Sequence, residues 1–196
     1  MEGTSLDSSL DKVRSNYSRL GSELIERMYV EDYLSLGGVD STDELARLTG
    51  LSAEHRVLDI GSGLGGPALR LAERWSCTVT GIDLVSTNVA TASERARARK
   101  LDARTCFVTG DATALPFEDD RFDVVWGQDA WCHVPAKGAL LDEATRTLRP
   151  GGRIAFTDWV EVAPLNDAER AEILDAIAGN NLATLEGYVG MLEGRG

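Results

Sequence analysis

From Arg56 onward the chain alternates between two hydrophobic periods. Short apolar runs are followed by stretches in which apolar residues recur every three to four positions. This alternation of strand-like and helix-like segments predicts a parallel sheet covered by helices on both faces. Arg56–Ile60 (RVLDI) reads as a buried strand ending at glycines, and residues 64–74 have helical spacing. Thr78–Asp83 (TVTGID) is a second strand, after which Ser86 is a candidate N-cap for a helix over 87–100. Residues 104–109, 122–126 and 153–158 read as three further strands, the last after a helix over 137–148 and the turn Pro150-Gly151-Gly152. The expected fold class is α/β, a doubly wound, mostly parallel sheet.

The first 55 residues follow a different pattern. Residues 10–28 predict one or two helices, and Leu36-Gly37-Gly38-Val39 predicts a turn. Asp40-Ser41-Thr42 then offers caps for a helix over 43–49. We read 1–55 as an N-terminal helical cap over the ligand-binding edge of the sheet, and 56–196 as the ligand-binding domain. After Asp158, helices are expected from Asn166-Asp167 to about Ile177 and over 184–192, with no strand behind them.

Composition narrows the class. A chain of 196 residues with 43% hydrophobic and 27% charged residues is long enough to bury one core. No apolar run approaches the roughly 20 residues of a membrane helix, and the N-terminus carries no secretory pattern. Cys77, Cys106 and Cys132 are odd in number and lack metal-ligand spacing, which suits a reducing cytoplasm. A net charge of -12 opposes binding to nucleic acid or anionic membranes and leaves a small-molecule substrate open. The basic run from Arg95 to Lys100 is expected to be the solvated, cationic end of a helix.

The densest chemistry lies in Val57-Leu58-Asp59-Ile60-Gly61-Ser62-Gly63-Leu64-Gly65-Gly66. In doubly wound sheets, ligands bind outside the carboxyl ends of the strands, and glycines there allow close approach of backbone to ligand. Gly61, Gly63 and Gly66 also satisfy the dinucleotide fingerprint, with Asp83 at the distance of its ribose-binding acid, so a nicotinamide dehydrogenase stays in view. Two later segments separate the readings. They are Thr109-Gly110-Asp111-Ala112 with Leu115-Pro116-Phe117, and Leu148-Arg149-Pro150-Gly151-Gly152.

In order and spacing, this series resembles the class I methyltransferases that use S-adenosylmethionine, over roughly residues 56–159. The resemblance implies a Rossmann-like fold and S-adenosylmethionine as cofactor. It places Gly61 and Gly63 beside the methionine part, Asp83 on the ribose hydroxyls, and Asp111 with Ala112 on the adenine. Asp59, Ser62, Leu84 and Gln128 complete the implied cofactor set. A carboxylate accepts from vicinal hydroxyls or from an exocyclic amine, and because Asp83 and Asp111 each follow a strand at the binding edge this reading is preferred to that of turn-capping aspartates. Asp123 reads as structural.

A narrower resemblance follows from Glu31-Asp32-Tyr33-Leu34-Ser35-Leu36-Gly37-Gly38 and Gln128-Asp129-Ala130-Trp131-Cys132-His133. It is to small-amine N-methyltransferases, the phosphoethanolamine and sarcosine/dimethylglycine enzymes. By that resemblance, Tyr33 and His133 form a catalytic pair and Asp129 sits by the substrate amine. Trp159, like Trp131, is either packing or an aromatic wall for a methylated ammonium. Phosphate-binding relatives draw basic groups from the region after the fifth strand, yet residues 171–181 contain none here. The expected acceptor is therefore a sarcosine- or dimethylglycine-like amine. An oxygen or carbon acceptor and a non-catalytic binding module are the alternatives, and a homodimer is left open. The family normally adds two more strands, so a fragment truncated at its C-terminus is expected.

Overall fold

The structure is a computed structural model, and it describes residues 3–195. Its five long strands are β1 (Arg56–Ile60), β2 (Thr78–Asp83), β3 (Thr105–Thr109), β4 (Phe122–Gln128) and β5 (Leu148–Thr157). They form one parallel sheet in the order β3-β2-β1-β4-β5. The order reverses between β1 and β4, which opens a crevice at the carboxyl ends of those strands. β4 is buried along its whole length, as expected of a strand flanked on both sides and covered on both faces.

Alternate side chains of the strands feed two cores. Val57, Val79, Val124 and Trp126 pack with Leu71 and Ala72 of helix α4 (Gly66–Trp75) and with Ala46 of α3 (Gly38–Thr49). Leu58, Ile60, Ile82 and Val125 face the other way, onto Leu140 and Leu141 of α6 (Lys137–Thr147). A further covering helix, α5 (Ser86–Ala98), follows β2. Two helices open the chain, α1 (Gly3–Asn16) and α2 (Arg19–Met28). Short parallel strands β6 (Val160–Glu161) and β7 (Ala183–Thr184) bracket α7 (Asp167–Ala176), and α8 (Leu185–Glu193) follows.

Several boundaries differ from expectation, each for a local reason. α3 starts at Gly38 because Gly37 and Gly38, both at positive φ, form the helix entry themselves. Asp40-Ser41-Thr42 thus fall inside the helix rather than capping it. Val85, not Ser86, caps α5. β5 starts at Leu148, which pairs with Phe122 before the glycine turn shifts the register to Val124↔Arg153. Asn166 does cap α7, in a reciprocal box with Glu169. Asp123 is structural, accepting from the Arg56 backbone and pairing with Arg149.

Arg97 and Lys100 are exposed at the cationic end of α5 as expected, but the run also does more. Arg95 and Arg99, one helical turn apart, point at the cap. Arg95 Nη1 lies 2.6 Å from Glu26 and 3.0 Å from Asp32, and Arg99 meets the other oxygen of Asp32. Asp32 is nearly buried, so its charge is compensated where water is scarce. Ser22 adds a buried hydrogen bond to Asn88 of α5. Replacement of Arg95 by Met should cost about 1.5–3 kcal/mol, the scale of charge-assisted hydrogen bonds. Urea unfolding checks this, and the loss should shrink in a Glu26→Gln background, where one partner is already absent.

Candidate active site

The crevice becomes a cleft because the cap lies over it. Its walls come from the loops after β1, β2, β3 and β4, with Leu10, Val13 and Tyr17 of the first cap segment and Asp32, Leu34 and Ser35 of the second. Gly61, Gly63 and Gly65 all have positive φ, so the loop after β1 folds back tightly and presents its backbone to the cleft. At Gly61 a Cβ would lie 2.4 Å from the Cβ of Ala130, so the loop after β4 rests directly on this glycine.

Asp83 at the end of β2 ties the loop down. Its two carboxylate oxygens accept from Gly63 N at 2.8 Å and from Val85 N at 2.9 Å. Burial holds this carboxyl above the ordinary range despite those donors. A carboxylate has about four acceptor positions, so capacity remains for ribose hydroxyls. Asp111, Ala112 and Leu84 line the same cleft. Asp111 also accepts from Thr113 N and Oγ1, at 2.8 and 2.7 Å, and so shapes its own turn.

Asp59 is buried beside this loop, and its Oδ2 has no hydrogen-bond partner among the described residues. Burial, helped by the Asp83 charge, pushes its carboxyl up to about 8. Ser62 and Ser35, both in the cleft wall, also carry buried hydroxyls without partners. Unpaired buried polar groups are costly, and here they cluster around one glycine-rich cradle. That arrangement fits a polar ligand with a charged end.

Gln128 reaches the cleft lining, but its amide is used elsewhere. Oε1 accepts from Thr42 at 2.8 Å and from Trp126 at 3.2 Å, and Nε2 points to Ser41. The side chain therefore ties β4 to α3.

On the other wall, Asp129 follows β4 with φ of 51°. Its carboxylate accepts from Thr157 Oγ1 at 2.8 Å and from Leu36 N at 3.0 Å, linking β5 to the cap. Burial raises this carboxyl as well. A single 3₁₀ turn, Trp131–His133, comes next and places His133 in the wall. Its Nε2 is 2.9 Å from the hydroxyl of Tyr17, and its Nδ1 is 3.0 Å from the carbonyl of Ala178.

The tyrosine that meets His133 is thus Tyr17, which the sequence reading did not single out. Tyr33 lies elsewhere: it is 2% exposed, its ring sits against Gly66, and its hydroxyl meets Thr42. Burial pushes its phenol up to about 12. It is a packing residue between the cap and α4, and it does not line the cleft. The chain offers three tyrosines before β1, and only the placement of the cap distinguishes them. Trp159 is partly exposed and outside the cleft lining, whereas Trp131 is fully buried and stacks on Phe156 at 4.3 Å.

A five-stranded parallel sheet, a glycine cradle after β1 and carboxylates at the ends of the next two strands define an S-adenosylmethionine-dependent methyltransferase of the Rossmann-like class. Comparison with known proteins places the chain in a family: residues 58–156 match the methyltransferase domain model, and the chain belongs to that family. It is 31% identical to methyltransferase GfsG of Streptomyces halstedii, an alignment covering all of this chain and 76% of that protein. It is 42% identical to 27-O-demethylrifamycin SV methyltransferase of Amycolatopsis mediterranei, over 66% of this chain and 49% of the relative. Among solved structures, phosphoethanolamine N-methyltransferase 2 of Haemonchus contortus, in complex with S-adenosylmethionine, matches at a TM-score of 0.85 and 29% identity. That match covers 93% of this chain and 42% of the other. S-adenosylmethionine is the methyl donor.

Asp83→Ala removes the carboxylate that fixes Gly63 and is expected to weaken S-adenosylhomocysteine binding about 10²–10⁴-fold, on the scale of two charge-assisted hydrogen bonds. Calorimetric titration measures this. Gly61→Ala, which forces a Cβ into Ala130, should abolish binding in the same titration.

Proposed function

We propose that this chain methylates a small, phosphate-free amine, with His133 and Tyr17 as its catalytic pair. The hydrogen bond between Tyr17 and His133 Nε2 in the cleft wall carries the reading. A carbonyl only accepts, so the contact with Ala178 puts the imidazole proton on Nδ1 and leaves the Nε2 lone pair facing the Tyr17 hydroxyl. Burial lowers the proton affinity of His133 below that of an ordinary imidazole, and burial raises the phenol of Tyr17. The pair is therefore neutral at pH 7 and ready to take up one proton.

Bound S-adenosylmethionine supplies an electrophilic methyl group on a sulfonium. The acceptor nitrogen must offer a free lone pair. Tyr17 takes the proton from that nitrogen while its own proton passes to His133 Nε2. Asp129 attracts the ammonium form of the acceptor and orients it, and the first cap segment keeps water out. Much of the acceleration comes from aligning acceptor and donor. The lining residues contain four aspartates (Asp32, Asp83, Asp111 and Asp129) and no lysine or arginine, which disfavours a phosphate-bearing acceptor.

A hydroxyl acceptor is the second reading. The apolar contribution of Leu10, Val13 and Leu34 to the cleft favours it, and so does the 42% identity to an enzyme named for O-methylation. The Tyr17–His133 relay would serve a hydroxyl equally well.

Transfer of labelled methyl to sarcosine, dimethylglycine, phosphoethanolamine and an apolar alcohol separates these readings. Transfer to sarcosine or dimethylglycine supports the amine. Transfer to the alcohol alone moves the assignment to oxygen, and transfer to phosphoethanolamine overturns the exclusion of phosphate. His133→Ala should slow transfer about 10²–10⁴-fold, the range for a lost general base, with S-adenosylhomocysteine affinity retained. The loss should appear with sarcosine and dimethylglycine alike, because each is an ammonium at pH 7 and must give up one proton before its lone pair can attack. The rate should fall as pH drops through the His133 midpoint, since the protonated ring cannot accept. That midpoint should lie below about 6.5, the ordinary imidazole value.

A further inference from the structure

The Trp131–His133 turn rests on a buried group of ionisable side chains that the cleft chemistry does not use. Asp158, just past β5, has a fully buried side chain, and its Oδ1 accepts from the backbone N–H of Cys132 at 2.9 Å. Lys137, at the start of α6, is 4% exposed and donates to the carbonyl of Trp131 at 2.8 Å. Its ammonium is 3.7 Å from Asp158 Oδ2, the oxygen that also accepts from the hydroxyl of Tyr188 in α8. The same ammonium lies 5.5 Å from the Tyr188 ring centre. Lysine and aspartate are almost never buried this deeply unless paired, and apolar side chains of similar volume would fill such a space at lower cost. Here the charged pair grips one backbone N–H and one C=O within the single turn that carries His133.

We propose that Asp158, Lys137 and Tyr188 are positioning residues for methyl transfer, holding the Trp131–His133 turn so that the imidazole faces Tyr17. The proposal rests on the reading of His133 as the reacting group. Sequence separation makes the arrangement informative: Asp158 and Tyr188 stand 30 residues apart and converge from opposite sides of α7. The turn is otherwise held by Asn180, whose side chain donates to the His133 carbonyl, and by the backbone N–H groups of Asn180 and Asn181 on Cys132 O.

The pair also acts on His133 electrically. Asp158 favours the imidazolium, whereas Lys137 and Lys12 of α1 disfavour it. Tyr17 from the turn after α1, Cys132 and Asp129 from the same loop and Tyr188 from α8 are the other ionisable groups around the turn. Two opposed charges held next to the ring make a prediction that mere packing does not: neutralising each should move the His133 midpoint in opposite directions.

The chain contains only two histidines, so His55→Gln leaves a single imidazole signal for titration by nuclear magnetic resonance, with no acceptor needed. In that background, Asp158→Asn should lower the His133 midpoint and Lys137→Gln should raise it. Tyr17→Phe should move the midpoint with Asp158 intact and move it less in Asp158→Asn, because the ring is no longer held against residue 17. Affinity for S-adenosylhomocysteine should stay within about 3-fold, a difference below 1 kcal/mol. An unmoved midpoint in either folded variant overturns the proposal. If Asp158→Asn does not fold, Lys137→Gln decides: a raised midpoint supports positioning, and an unchanged one ends it. The His133→Ala transfer assay stands apart from this titration, so failure of the positioning and failure of the reading of His133 are told apart.

Discussion

The contact between Gly61 and Ala130 sets the geometry of the cleft. The loop after β1 and the loop after β4 meet there with no room for a side chain on the glycine. Because Gly61 sits at φ of 82°, the first loop turns sharply and Gly63 N can reach Asp83. On the other side, Ala130 lies between Asp129 and the turn that ends at His133. Cofactor cradle and candidate acceptor site are therefore joined through one close approach. A displacement of either loop would alter both.

Covering this cleft has an electrostatic consequence. Helix α2 and the connection after it are bound to α5 by Glu26, Asp32 and Arg95, and the following segment is tied to Asp129 through Leu36 N. Burial under this cover shifts Asp83, Asp129, His133 and Tyr17 in the wall, and Asp59 beside it, toward their neutral forms. Such surroundings favour a reaction in which a sulfonium charge is discharged and one proton moves a short distance. Exposed versions of the same side chains would be charged or solvated, and less suited to a relay.

The chain spans 76% of one curated relative and about half of another, so acceptor-binding groups from further segments are part of the question for the whole protein. Within the described residues, the cleft walls contribute carboxylates and apolar surface, with cations excluded from the lining. Lys137, which acts on His133 from beneath its turn, is committed to the backbone of that turn.

Much of the fold was legible along the chain because its determinants are local. Strand periodicity, the glycines after Ile60 and the aspartates ending β2 and beginning the loop after β3 each lie within a few residues of what they specify. Those short-range signals were enough for the sheet, the cofactor cleft and the methyltransferase family. Three features needed the tertiary structure. Tyr17 meets His133 across 116 residues, Arg95 meets Glu26 across 69, and Gln128 spends its amide on α3 instead of the cleft. No local pattern pairs Tyr17 rather than Tyr33 with His133, since each follows a polar residue in a connection between helices. What decides between them is the seat of the cap on the sheet. That seat depends on which distant charges and apolar faces find each other on folding, and a linear pattern does not encode such distances.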